Sequence, residues 1–168
     1  MKHVRPYLLL ETYRPFGLTL DALADRIRNY EIGNDSLGKI AGDPAAPAEF
    51  LRLLASERTA WIVLRPIIQN PNTPADVLAQ LANDLNPEVR KGVAEHPNSS
   101  AETLAQLASD RWWSVRIQVA GNPNVPVDSL VKLSQDDDPD VSHAATSNPN
   151  LSDYDLTGWA LDGDNSWL

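Results

Sequence analysis

A chain of 168 residues with 42% apolar and 22% charged residues has the size and composition of one folded domain, too apolar for wholesale disorder. It has no cysteine, which excludes a disulfide framework, thiolate metal sites, thiol catalysis and a cysteine-ligated iron–sulfur cluster. The net charge of −9 is uneven: residues 1–69 carry nine Lys or Arg against eight Asp or Glu, and residues 70–168 five against fifteen, the reverse of the basic face that displaces counterions from phosphates.

Residues 1–16 show no clean period, and Pro6 and Pro15 bracket an apolar piece, Tyr7 to Leu10, that is far short of a signal-peptide core or a membrane span. The expectation is a cytoplasmic protein with no membrane association. Thr19 is placed to cap a helix that carries Leu20, Leu23, Ala24 and Ile27 on one face. After a loop over 30–34, Asp35 or Ser36 can cap a short helix with Leu37, Ile40 and Ala41, which Gly42-Asp43-Pro44 ends. Residues 1–42 are therefore expected to form an N-terminal helical cap.

Residues 70–147 then read as three copies of one 26-residue unit, 70–95, 96–121 and 122–147, the first being NPNTPADVLAQLANDLNPEVRKGVAE. A period of this length marks a solenoid, in which no unit buries its apolar face alone. The Asn-Pro-Asn or His-Pro-Asn opening makes a corner, Thr73 is placed to cap a first helix with Pro74 at its first position, and Leu78, Leu81 and Ala82 face inward. Asp84, Asp110 and Asp136 recur in the following turn. A short second helix begins near Pro87 or Pro139, with Val89 and Val93, Val115 and Val119, or Val141 and Ala145 inward.

A degenerate unit over 43–69 precedes these copies, with one extra residue most simply placed in its inter-helix turn, because Leu51 and Leu54 answer Leu78 and Leu81 at a spacing of 27 while Val63 answers Val89 at 26. A truncated unit, 148–168, follows, and its Trp159 and Trp167 fall on core positions that suit an end cap. The fold class predicted is an all-α solenoid of about four to five two-helix repeats over residues 43–168.

This frame resembles the leucine-rich repeat variant family, whose units look like NPNxPxxxLxxLAxDxxxxVRxxVA. Asp84, Val89, Arg90, Val93 and Ala94 fill its places, and Asp110, Val115, Arg116, Val119 and Ala120 fill them again. The resemblance implies a right-handed superhelix in which each unit pairs an α-helix with a shorter helix, of α or 3₁₀ type. It implies no activity for most members. The iron–sulfur cluster that some members carry is not transferred to a chain without cysteine, and no cofactor is expected.

Arg90 and Arg116 share one frame position, with Asp84 and Asp110 recurring nearby. They suit either a ladder of ion pairs knitting the repeats together or, with Lys91 and Arg65, a basic strip on the short-helix face that receives an acidic peptide or a phosphate. Trp112-Trp113 stands where the neighbouring units have Asn86-Pro87 and Asp138-Pro139, and Trp61 falls at the place of Trp113. Such aromatics either anchor a partner or fold back to fill space between units. The runs Asp136–Asp140 and Asp162–Asn165 lack the spacing of a calcium loop and suit the starts of helices, so no metal site is expected. No catalytic triad, carboxylate pair or glycine-rich phosphate loop stands out. The function expected is a non-enzymatic scaffold, monomeric or weakly dimeric, that meets a protein or peptide through Trp61, Arg90, Lys91, Trp112, Trp113 and Arg116. Nucleic-acid interaction is the alternative, which the acidic repeats count against.

Overall fold

The computed structural model describes Gly17, residues 19–57 and residues 60–152. The expected fourth-unit positions Leu156, Trp159 and Trp167, the run Asp162–Asn165, and residues 1–16 lie outside them. Among the described residues the regular elements are helices: α1 (Leu20–Arg28), α2 (Asn34–Ala41), α3 (Ala48–Glu57), α4 (Trp61–Gln69), α5 (Ala75–Leu81), α6 (Pro87–Glu95), α7 (Ala101–Leu107), α8 (Trp113–Gly121), α9 (Val127–Leu133), α10 (Pro139–Thr146) and α11 (Pro149–Ser152).

Alternate helices form two rows. The second helices of the units, α2, α4, α6, α8 and α10, stack each on the next, whereas the first helices α5, α7 and α9 stand further apart. An array packed more closely along one row bends toward that row, so the second helices form its inner face. The repeat-frame leucines Leu78, Leu104 and Leu130 are fully buried, as are Val93, Val119 and Ala145, and one apolar core runs without a break from Leu23 to Leu151. Helices α1 and α2 pack on α3 and α4, so the pair ahead of residue 43 continues both rows.

Three local readings change in the structure. The second helices are α-helical and, in the three full units, the longer of the pair, nine residues in α6 and α8 against seven in α5 and α7 and eight in α10 against seven in α9, rather than short or 3₁₀. Their inward residues lie four apart, the α spacing, where a 3₁₀ turn would align residues three apart. Thr73 does not cap α5. Its hydroxyl donates to the Ile67 carbonyl at the end of α4, as Ser99 Oγ does to Val93 at 2.6 Å, so this position satisfies orphan carbonyls of the preceding helix. Pro74 is instead the residue at the start of α5, and in the next unit Ser100 caps α7 by accepting from Thr103 N. Helix α2 begins at Asn34 behind Gly33, without a side-chain cap from Asp35 or Ser36, while Thr19 caps α1 as expected, accepting from Ala22 N at 3.3 Å. In the degenerate unit, α3 runs three residues past Leu54, the counterpart of the last residue of α5, toward the expected insertion.

The units are joined at their corners. Asn70 Nδ2 donates to the carbonyls of Ala41 and Asp43 at 2.7 and 2.9 Å, and Asn122 and Asn148 repeat this to Ala94 and Ala120, each at 2.7 Å. Their Oδ1 atoms accept from the backbone two residues on, Asn72, Asn124 and Asn150. The second asparagine of the motif makes another rung, from Asn72, Asn98, Asn124 and Asn150 to the carbonyls of Pro44, Pro71, Pro97 and Pro123. His96 takes the first asparagine's place: Nδ1 accepts from Asn98 N at 3.0 Å and Nε2 faces the Asn70 carbonyl at 3.1 Å, so Nε2 carries the proton.

Four substitutions test this packing by thermal and denaturant unfolding. A Cβ on Gly38 would lie 2.8 Å from the Ile62 carbonyl, so Gly38→Ala is expected to lose about 1–3 kcal/mol. Gly121, at the open end of α8, has nothing within 4 Å, and Gly121→Ala is expected to be neutral or stabilising by about 0.5–1 kcal/mol. His96→Asn restores the same donor and acceptor and is expected to stay within about 1 kcal/mol of the parent, whereas His96→Ala removes both side-chain bonds, leaving the Asn70 carbonyl only its Thr73 amide and the part-buried Asn98 amide without its acceptor, and loses about 1–3 kcal/mol.

Candidate functional site

The inter-helix turns and the second-helix row carry the candidate binding residues Trp61, Arg65, Arg90, Lys91, Trp112, Trp113 and Arg116, and the structure divides them into two groups. Arg90 and Arg116 belong to an internal ladder. Arg90 is 9% exposed and grips Asp110 of the next unit with two bonds, Nε to Oδ2 at 2.6 Å and Nη2 to Oδ1 at 3.1 Å, while Nη1 donates to the carbonyls of Asp84 and Leu85. Arg116 does the same one unit later, with Asp136 at 2.6 and 2.7 Å and the Asp110 carbonyl at 2.9 Å. Each aspartate also accepts from the amide two residues on, Trp112 N or Asp138 N. The ladder stops where the frame position is Leu64 on one side and Ser142 on the other.

These contacts set the acidity of the pair members. Burial alone pushes the Asp110 carboxyl up, but hydrogen bonds from Arg90 and the Trp112 amide, with the charges of Arg90 and Arg111, outweigh it and hold the group below the ordinary aspartate value. For Asp136 the hydrogen bond from Arg116 is the largest influence, and it too is lowered. Both arginines are raised, chiefly by the same hydrogen bonds.

The tryptophans stand outside. Trp61 and Trp113 are the first residues of α4 and α8, Trp112 precedes α8, and they remain 41%, 48% and 44% exposed. The Arg111 guanidinium lies 5.5 Å from the centre of the Trp112 ring. On the inner face a groove of about 600 Å³ opens between α4 and α6, with Trp61 and Arg65 on one wall, Glu88, Lys91 and Glu95 on the other, and Ile68 and Gly92 beneath. Its floor depends on Gly92, since a Cβ there would meet Ile68 Cγ2 at 2.5 Å. The counterparts of Gly92 are Pro66, Gln118 and Ala144, so a glycine here is a departure from the frame that the sequence carries as a sign of this groove.

The structure thus brings Trp61 and Lys91 together with Arg65, and keeps Arg90 and Arg116 apart from them. No continuous basic strip results: Lys91 lies 3.9 Å from Glu88, and Arg65 has no ion-pair partner among the described residues. Of the acidic run, Asp136 serves the ladder and Asp138 caps α10, accepting from Asp140 N and Val141 N at 3.0 and 3.3 Å. Among the described residues no three metal-type ligands gather, and no helix is long and apolar enough to cross a membrane.

Residues 87–111 and 113–140 match the model of the leucine rich repeat variant family. No curated protein and no solved structure matches the chain. Each matched segment starts at or beside a second helix and runs through the corner and the next first helix, so the family unit is read half a repeat out of step with one counted from the corner.

The ladder has a pH signature. Because the folded pKa values of Asp110 and Asp136 are lowered, their stabilisation is complete above the unfolded aspartate range and is lost as pH falls below about 4 toward the folded values. Denaturant unfolding between neutral and acid pH should therefore show Asp110→Asn destabilised at neutral pH and less steeply dependent on acid than the parent. Arg90→Ala, which strands a buried carboxylate, is expected to lose about 2–4 kcal/mol at neutral pH.

Proposed function

We propose that the leucine rich repeat variant array of residues 87–140, continued on its N-terminal side by α1 to α5, is a non-enzymatic scaffold that binds a segment of another protein on its second-helix face. The observation that carries this reading is the groove between α4 and α6. Trp61 provides an aromatic anchor at its mouth, Ile68 an apolar floor, and Arg65, Glu88, Lys91 and Glu95 a rim of both signs. A centre of this kind supplies affinity while the rim charges discriminate between sequences. The volume of about 600 Å³ lies within the range that binding clefts span. Balanced rim charge favours a polypeptide over nucleic acid, which takes a surplus of Lys and Arg.

Panning a random peptide library on the chain, followed by anisotropy titration of the selected peptides, tests the reading. Trp61→Ala is expected to weaken them at least about tenfold, and Lys91→Glu to change which sequences are selected. Selection of no peptide, together with saturable binding of a duplex DNA probe at physiological salt, is the outcome that sinks it.

A further inference from the structure

Every large apolar side chain that stands exposed among the described residues lies in or beside an inter-helix turn: Tyr30, Trp61, Ile62, Leu85, Trp112 and Trp113. The opposite edge of the array, formed by the Asn-Pro-Asn corners, exposes proline and asparagine, and those asparagines are engaged in rungs to the preceding unit. The packing frame does not require the apolar edge, because the same frame accommodates Asn86-Pro87 and Asp138-Pro139 at the tryptophan positions. Exposed large apolar side chains gathered on one edge mark an interaction site.

The edge changes character at the turn before α10. Asp136 is neutralised by Arg116 and Asp138 caps the helix, but Asp137 and Asp140 are exposed and have no Lys or Arg partner among the described residues. An apolar stretch that ends in unpaired carboxylates is complementary to a segment that is apolar at one end and basic at the other. We propose that this edge docks such a polypeptide segment, its apolar side chains over Leu85, Trp112 and Trp113 and its Lys or Arg side chains against Asp137 and Asp140. The inference rests on the scaffold reading and names the partner's chemistry. From the turn holding Leu85 to the turn holding Asp137 is two units, roughly 20 Å at about 10 Å per stacked helix, which about six extended residues cover. An anionic membrane, the other surface that tryptophans enter, is repelled by the same carboxylates and by the acidic repeats.

Two labelled synthetic peptides that share a Trp- and Leu-containing half and differ in a Lys-rich or Glu-rich half decide the matter by anisotropy titration. The Lys-rich peptide is expected to bind at least about tenfold more tightly than the Glu-rich one. Trp112→Ser with Trp113→Ser is expected to abolish that binding, and Asp137→Lys to remove the preference, with unchanged thermal unfolding in both variants. Equal binding of the two peptides, binding that survives loss of both tryptophans, or tryptophan-dependent sedimentation with anionic vesicles overturns the proposal. If peptides selected on the groove bind while the Lys-rich peptide does not, the edge fails and the scaffold stands. If neither binds, both readings fail.

Discussion

The structure depends on the hydrogen bonds that the corner asparagine makes backward into the preceding unit. The second helices end with carbonyls buried at the junction, where an unmet acceptor costs about 1–3 kcal/mol. The side chains of Asn70, Asn122 and Asn148 meet those carbonyls and, through Oδ1, also fold their own turns. One residue thus holds the shape of a corner and its position on the unit before it. His96 shows that the requirement is for a donor and an acceptor in fixed places rather than for asparagine, since the two ring nitrogens supply both.

With the corners tied, the second helices are brought close enough to stack, and their charged side chains divide by depth. Arg90 and Arg116 lie under the surface, where the aspartate of the following unit and a carbonyl of their own turn take their donors. What remains at the surface of the inner row is a groove with charges of both signs, and at the turn edge a line of aromatic and aliphatic side chains that the core does not need. Structural regularity and exposed chemistry therefore occupy different residues of the same 26-residue unit.

Much of the architecture was legible in the amino acids because burial is periodic and local. Leu78, Leu81 and Ala82, with Val89 and Val93, were assigned inward from spacing alone, and all are buried. The placing of Trp61 and Trp113 at one frame position was likewise legible, and both open a second helix. Less legible were the roles of polar residues. Thr73 has the sequence context of a helix cap, yet its hydroxyl turns back to α4, because a buried carbonyl there competes with the exposed amides at the start of α5. The groove was not anticipated either, since it depends on Gly92 meeting Ile68 across two helices that are separated in sequence by the whole of α5.

The sequence by itself determined the repeat period, the helical class and the inward faces, because each follows from where apolar residues recur within a few turns of chain. Tertiary structure decided which polar groups meet. Arg90 has Asp84 as its neighbour in the sequence and takes only that residue's carbonyl, while its charge pairs with Asp110, twenty residues away. That choice depends on how one unit is superposed on the next, a relation between segments that hydrogen bonding at the corners sets and that no local pattern contains.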